Sequence, residues 1–180
     1  MTQSITENLI LQLSKKEPKA LERLYDETKV AVYGLALSIL KKPQDAEDVM
    51  QETYIRIYKG ASGYVPKGKP MAWILRIARN LSLDRIKSES KGEFSLEEGW
   101  FSEAGSDFAG SSIDKLLLEA VLSHLTEEER QIVIMHALAG LKHREIAQIL
   151  EIPLATTLSK YRRSLSKLRK MLEEKKVERV

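Results

Sequence analysis

The pattern of apolar residues limits the folds that this chain can adopt. Two long stretches show helical periodicity, and a segment that is poor in apolar side chains separates them. Apolar residues recur every three or four positions through residues 4–87 and again from residue 113 onward, which is the spacing of amphipathic helices. Between them, residues 88–112 hold four glycines and six acidic residues against one lysine, so this segment is predicted to be a flexible linker. The sequence therefore predicts an all-α protein of two small helical domains, with residues 1–87 and 113–180 joined by an acidic linker at residues 88–112.

Local signals set the expected ends of the helices. Ser4 and Glu7 have the spacing of a capping box at the start of a first helix. Pro43 marks a break before a new helix, and residues 60–70, with three glycines and two prolines, are predicted to be a loop. The predicted helices of the first half are about 4–14, 19–41, 43–59 and 71–88.

The second half begins with a predicted helix at residues 113–125. Thr126 and Glu129 predict a second capping box, and Gly140 is the expected end of the helix that this box opens. Helices at about 142–150 and 154–175 follow, and no strand-like alternation competes with them.

The strongest motif is a helix-turn-helix in LKHREIAQILEIPLATTLSKYRRSLSKLRKML. A short helix is followed by a turn at residues 151–153 and by a longer helix, whose residues 160–170 carry six positive charges and no negative one. A helix with one buried face and one cationic face fits the major groove of DNA; the alternative is a solvated surface helix. The apolar residues of the longer helix, spaced by four and three, predict one buried stripe: Leu154, Leu158, Tyr161, Leu165, Leu168 and Leu172.

A second basic region lies in the first half. Residues 55–87 hold eight basic side chains and one acid, and Trp73 lies among them. Aromatic rings next to cations suit single-stranded nucleic acid, because bases stack on rings and the backbone needs neutralising charge. Taken alone, Trp73 also fits a core position.

Several classes of function are excluded by what the chain lacks. It has no cysteine, so disulfides, thiolate catalysis and cysteine-ligated zinc are excluded. Its three histidines are far apart in sequence, and neither a nucleophile–base pair nor a phosphate-cradling glycine loop is evident. The sequence predicts no catalytic site, metal or cofactor. With no basic leader, and a longest apolar stretch (residues 31–40) of about half a membrane span, it is predicted to be cytoplasmic.

The order of segments resembles that of the extracytoplasmic-function sigma factors, the small two-domain initiation subunits of bacterial RNA polymerase. The matching segments are ALERLYDETKVAVYGLALSIL, DAEDVMQETYIRIYK, KPMAWILRIARNLSLDRIK and LTEEERQIVIMHALAGLKHREIAQILEIPLATTLSKYRRSLSKLRK. The resemblance implies a promoter-specificity factor that binds core RNA polymerase and promoter DNA, recognises the −35 and −10 elements and helps to melt the DNA. It also implies an anti-sigma factor as a partner.

The resemblance assigns roles to three sets of residues. Those that match the polymerase-docking helix are Asp45, Glu47, Asp48, Gln51 and Glu52. A second set matches the loop that captures a flipped base of the −10 element: Tyr64, Lys67 and Lys69. The helix that helps to melt this element is matched by Trp73, Arg76 and Asn80. A third set matches the positions that recognise bases of the −35 element: Ser159, Arg162 and Arg163. The resemblance also places Thr156 near the DNA backbone and Arg144 and Lys160 at its phosphates.

The chain departs from the family at four positions. Glu151 and Ala155 stand where glycine is usual, and Lys160 replaces an arginine, which loses the bidentate fork. Leu158 stands where a basic residue is common and also falls on the predicted apolar stripe, so it is not expected to contact DNA.

The alternative function is a helix-turn-helix regulator whose first half senses a ligand or dimerises, and which binds an inverted repeat without polymerase.

Overall fold

The computed structural model describes residues 2–89 and 123–177, and all regular structure within these ranges is helical. The predicted all-α class is confirmed. The chain divides into two compact units, Met1–Gly105 and Ser106–Val180. The first unit contains α1 (Thr2–Ser14), α2 (Pro18–Leu40), α3 (Pro43–Gly60) and α4 (Pro70–Glu89), and the second contains α5 (Glu127–Ala137), α6 (His143–Leu150) and α7 (Leu154–Val177). Nearly all of the predicted linker 88–112 and of the predicted helix 113–125 lies outside the described residues.

Proline begins three of the helices of the first unit, since α2, α3 and α4 start at Pro18, Pro43 and Pro70. The proline ring presets the helical φ and lacks an N–H that the first turn would leave unbonded. The break predicted at Pro43 is confirmed. The predicted loop 60–70 is a short 3-10 turn at Ala61–Gly63 followed by irregular backbone up to α4.

The core of the first unit is built around α2, which packs against α1, α3 and α4. All ten residues from Ala31 to Leu40 are buried, as expected for a helix that has neighbours on every side. A buried polar contact joins α2 to α3: the Thr28 hydroxyl donates to the Leu24 carbonyl (2.6 Å) and lies 2.8 Å from the Tyr54 hydroxyl. Because the single hydroxyl proton of Thr28 is already donated, Tyr54 is the donor of the second bond.

The predicted capping box at the start of the first helix is wrong. The helix begins at Thr2, so Ser4 lies inside it and does not cap it. Ile5 is 46% exposed, whereas Leu9 and Leu13, which follow it at four-residue spacing, are buried. A helix turns every 3.6 residues, so strict four-residue spacing drifts around its surface. The residues of α1 that are buried are Thr6, Leu9, Ile10 and Leu13.

The helix-turn-helix is confirmed in the second unit, where α6 and α7 pack against each other and against α5. The capping box at the start of α5 is also as predicted, because the Glu129 carboxylate accepts a hydrogen bond from the Thr126 backbone N–H (3.0 Å). Gly140 has a positive φ of 67°, and its N–H donates to the His136 carbonyl at 3.1 Å. Glycine adopts this left-handed backbone without the steric cost that other residues incur.

The predicted apolar stripe of α7 is confirmed at Leu168, which is buried, and is wrong at three other leucines; the side chain of Leu172 lies outside the described part of the structure. Leu154, Leu158 and Leu165 are 37%, 36% and 46% exposed. The buried face includes two small hydroxyl side chains that are satisfied by their own helix: Thr157 donates to the Pro153 carbonyl (3.2 Å) and Ser164 to the Lys160 carbonyl (2.8 Å). Because short, satisfied side chains let helices approach closely, they occupy the interface in place of the leucines. The residues of α7 that are buried are Thr157, Ser164, Leu168 and Met171.

No helix in the part of the chain that the structure describes is long and apolar enough to cross a membrane.

The turn of the helix-turn-helix holds a glutamate in a backbone conformation that favours glycine. Glu151 has φ 57° and ψ 38°, and its N–H donates to the Ala147 carbonyl. Left-handed backbone costs a residue with a Cβ about 1–2 kcal/mol. Glu151 therefore carries backbone strain that a glycine at this position would not.

We expect Glu151→Gly to stabilise the second unit. Relief of the Cβ strain outweighs the greater freedom of glycine in the unfolded chain and leaves a gain of about 0.5–1 kcal/mol. For a unit of this size, thermal unfolding should shift upward by about 2–8 °C, measured by calorimetry. Glu151→Ala is the matched control, since it removes the same carboxylate but keeps the Cβ. An equal gain from both variants would contradict backbone strain as the cause.

Candidate functional site

The outward face of α7 carries the side chains that were predicted to read duplex DNA. Ser159, Arg162 and Arg163 are all exposed, and residues three or four apart lie on one side of a helix. Arg144 is exposed in the first turn of α6, and Thr156 is half-buried in the first turn of α7. The side chain of Thr157, which also stands in this first turn, is fully buried and does not reach solvent.

Two ion pairs hold α7 against α5. The Lys167 ammonium lies 2.7 Å from the Glu129 carboxylate, and the Lys160 ammonium lies 2.8 Å from that of Glu128. Burial alone would raise the pKa of Glu129, but the hydrogen bonds from Lys167 and from Thr126 outweigh it and lower the pKa. Because Lys160 is engaged with Glu128, a phosphate contact by this lysine must compete with that pair.

A cluster of three rings joins all three helices of the described second unit. The ring centroids of His136 on α5, His143 on α6 and Tyr161 on α7 lie 4.4–4.8 Å apart. The His136 Nδ1 donates to the Leu141 carbonyl at 2.8 Å. Burial, and secondarily the neighbouring His136, lower the pKa of His143. His136 and His143 are seven residues apart in the sequence, and nothing in this spacing indicates that the fold brings the rings together with that of Tyr161.

Within residues 2–89 and 123–177, no group of three His, Cys, Asp or Glu side chains is arranged to hold a metal ion.

The residues predicted to bind opened strands gather around one aromatic pair in the first unit. The Tyr64 and Trp73 rings are tilted against each other with centroids 4.9 Å apart, and both residues are half-buried. Arg76 and Asn80 follow Trp73 along α4 at three- and four-residue spacing, and both are exposed. The two lysines of the loop, Lys67 and Lys69, are also exposed.

A carboxylate of α1 binds this loop, a contact that no sequence motif predicts. Oε1 of Glu7 accepts a hydrogen bond from the Tyr64 hydroxyl (3.0 Å) and another from the Gly68 N–H (2.9 Å). Burial, and next the bond to Glu7, raise the pKa of Tyr64 to about 12. The sequence spacing predicts only a local capping box for Glu7, because a contact with residues 57 and 61 positions away leaves no periodic signal in the sequence.

Three acidic residues of α3 pair with arginines. One nitrogen of Arg85 on α4 lies 2.6 Å from Asp45 and 3.2 Å from Asp48, so the two carboxylates share one cation. Glu52 pairs with Arg56 at 3.2 Å. Glu47 is half-buried and Gln51 is exposed. The five predicted docking residues all lie on α3. Arg85 of α4, which contacts two of them, is not indicated by any sequence motif.

We expect the second unit to lose stability as the pH falls below about 6.5, the ordinary pKa of histidine. The pKa of His143 is lower in the folded protein than in the unfolded chain, so the unfolded chain binds its proton first and is favoured as the pH falls. Thermal unfolding between pH 7.5 and 5.5 measures this slope.

His143→Phe keeps a ring in the cluster without a titrating group and should flatten the slope. The matched control is His124→Phe, since His124 is exposed. A slope that persists in His143→Phe and disappears in His124→Phe would contradict this assignment.

Comparison with protein-family models gives two matches. Residues 24–92 match the model described as sigma-70 region 2, and residues 115–168 match sigma-70 region 4. The chain is 30% identical over 174 residues to the ECF RNA polymerase sigma factor SigK of Mycobacterium ulcerans (strain Agy99), covering 92% of each chain. It is 28% identical over 174 residues to the SigK protein of Mycobacterium tuberculosis (strain ATCC 25177 / H37Ra), again with 92% coverage of each.

Two solved structures share the fold. CnrH, in complex with the cytosolic domain of CnrY, aligns with a TM-score of 0.61 and 18% identity, covering 94% of this chain and 98% of that one. The sigma factor RpoE of Bartonella quintana, in complex with the anti-sigma factor NepR, aligns with a TM-score of 0.62 and 19% identity, covering 86% and 98%.

Proposed function

This chain belongs to the extracytoplasmic-function group of the sigma-70 family, and from that premise we propose how its two units divide the recognition of a promoter. The protein is a promoter-specificity sigma factor. In the proposal, residues 1–87 are the region 2 domain, which docks on core RNA polymerase and binds the −10 element. Residues 113–180 are the region 4 domain, which binds the −35 element, and residues 88–112 connect the two. The observation that carries the proposal is the cationic outward face of α7 in a helix-turn-helix.

In the −35 element, α7 lies in the major groove. Ser159, Arg162 and Arg163 face the base edges, which is supported by their exposure on one side of the helix. Arginine suits this role because its planar fork bonds O6 and N7 of guanine together. Arg144, Thr156 and Lys160 contact the phosphate backbone and fix the register of the helix on the duplex.

In the −10 element, the first unit holds an opened strand. The loop with Tyr64, Lys67 and Lys69 takes a flipped base, and the α4 residues Trp73, Arg76 and Asn80 keep the strands apart. The contact between the Tyr64 and Trp73 rings supports this assignment, because aromatic faces stack on bases and nearby cations neutralise the backbone.

Docking on polymerase uses the polar face of α3, formed by Asp45, Glu47, Asp48, Gln51 and Glu52. Arg85 supports this role by holding two of the carboxylates at fixed positions, since a fixed charge loses less freedom on binding than a mobile one. The docking surface is thus set by α3 together with α4.

The chemistry of transcription belongs to the polymerase, so the factor needs no catalytic site or cofactor of its own and works in the cytoplasm, where polymerase and promoter are. A protein inhibitor is a further proposed partner, by analogy with CnrH bound to the cytosolic domain of CnrY and with RpoE bound to NepR. The alternative, a regulator that acts without polymerase, is not favoured because both halves of the chain match regions of sigma-70 factors.

The direct test adds the purified chain to core polymerase with a library of random duplex DNA. Transcripts that start at defined sites and share upstream sequence elements are the expected result. If the isolated chain instead selects an inverted repeat and polymerase adds no transcript, the alternative regulator is supported and the proposal fails.

We expect Arg162→Ala and Arg163→Ala each to lower promoter-specific initiation about tenfold or more, because each removes a base contact. Arg169→Ala is the matched control, since it removes an exposed charge about two turns further along the same helix and should change initiation by less than about twofold. Run-off transcription from a selected promoter measures the difference. Equal effects of all three variants would indicate general electrostatic attraction and contradict base reading.

We expect Trp73→Ala to reduce opening of duplex promoter about tenfold, because it removes the ring on which an unstacked base rests. Permanganate reactivity of −10 thymines measures the opening. A template with mismatched, already open strands at the −10 element should restore most of the activity. A defect of equal size on both templates would show that Trp73 acts on folding or on polymerase binding instead.

A further inference from the structure

Helix α1 is joined to the loop between α3 and α4 through Glu7, and α1 precedes the segment that matches region 2, which begins at residue 24. We propose that Glu7 is a positioning residue for recognition of the −10 strand: it holds the segment Tyr64–Gly68 in the shape that receives a base. This inference rests on the proposed function of that loop.

The two hydrogen bonds fix both ends of this segment with one atom. Oε1 of Glu7 accepts from the Tyr64 hydroxyl at one end and from the Gly68 N–H at the other. Between them, Val65, Pro66 and Lys67 are exposed. Glu7 thus holds the backbone of the segment at Gly68 and the side chain of Tyr64 at the other end, while the three residues between them are exposed, which suits a loop that is preorganised for a ligand.

The support for Glu7 is rigid. Three apolar residues that follow it on α1, Leu9, Ile10 and Leu13, are at most 3% exposed, so packing anchors the helix that carries the carboxylate. A loop that is held in its bound shape before binding does not lose that freedom when the ligand arrives, and its affinity is correspondingly higher.

The orientation of the Tyr64 ring depends on the same bond. The ring lies 4.9 Å from that of Trp73, and the bond from its hydroxyl to Glu7 fixes the far end of the side chain. Without Glu7, the hydroxyl end of the side chain loses its hydrogen bond and the ring is held on that side only by its contact with Trp73, so the aromatic surface is less firmly fixed.

A carboxylate near a nucleic-acid surface also repels phosphate, so the opposite role would be inhibition. The two roles predict opposite signs. If Glu7 positions the loop, its removal weakens opening of the promoter. If Glu7 blocks the loop, its removal strengthens opening.

The experiment uses the full chain, core polymerase and a duplex promoter that the wild-type chain has selected from the random library. Permanganate reactivity of the −10 thymines is measured for Glu7→Ala, with Glu7→Gln, Tyr64→Phe and Glu22→Ala beside it. Glu7→Ala should lower opening about fivefold. Glu7→Gln keeps an acceptor oxygen and should restore most of it. Tyr64→Phe removes one of the two bonds and should fall between. Glu22, an exposed carboxylate of α2, should be replaceable without effect.

A fifth variant, Gly68→Ala, disturbs the loop from its other end without touching α1. Gly68 has a φ of 67°, so an alanine is strained there although its Cβ meets no atom within 4 Å. This variant should also lower opening, and it keeps the inference testable if Glu7→Ala fails to fold.

Binding of each variant to core polymerase should match that of the wild type, because the loop lies outside the docking helix. The inference is overturned if Glu7→Ala opens the promoter as well as or better than the wild type while Trp73→Ala remains defective. If Trp73→Ala also opens the promoter normally, the proposed function of this region fails instead.

Discussion

The rotation of α7 about its own axis decides which side chains a partner meets, and the ion pair between Lys167 and the buried Glu129 fixes this rotation. Glu129 is 4% exposed, accepts a hydrogen bond from the Thr126 N–H, and lies 2.7 Å from Lys167. One carboxylate therefore caps α5 and holds α7 against it. Without Lys167, the buried Glu129 carboxylate would keep its hydrogen bond from the Thr126 N–H but lose its counter-charge, so the pair favours one arrangement of the two helices.

With α7 held in this way, the small hydroxyl residues face inward and the arginines face solvent. Thr157 and Ser164 are buried because their hydroxyls bond to carbonyls of the same helix or of the turn before it. Arg162 and Arg163 then lie on the outward side. The same principle operates in the first unit, where Arg85 fixes two carboxylates of α3 and Glu7 fixes the loop before α4. In each case a charged side chain from a distant segment sets the position of a surface group.

The sequence predicts the helices of this protein well, because proline, capping boxes and apolar periodicity are local signals. Pro43 and the box of Thr126 and Glu129 act within one helical turn, and the structure has both as expected. The apolar stripe of α7 could not be predicted from spacing alone. Leucine is the more apolar residue, but the closest helix contacts prefer short side chains, so Thr157 and Ser164 are buried while Leu158 and Leu165 are exposed.

The contacts that organise the candidate site are the part that the sequence does not reveal. Arg85 meets Asp45 and Asp48 from 40 and 37 residues away, and no local pattern encodes such a pairing. The ring cluster of His136, His143 and Tyr161 arises in the same way, from three helices. Photo-crosslinking from positions 162 and 73 of the full chain, in one open promoter complex with polymerase, tests whether the two units bind different states of the DNA. We expect position 162 to crosslink to upstream duplex and position 73 to the unpaired −10 strand. Crosslinks of both positions to duplex DNA, formed equally without polymerase, would contradict it.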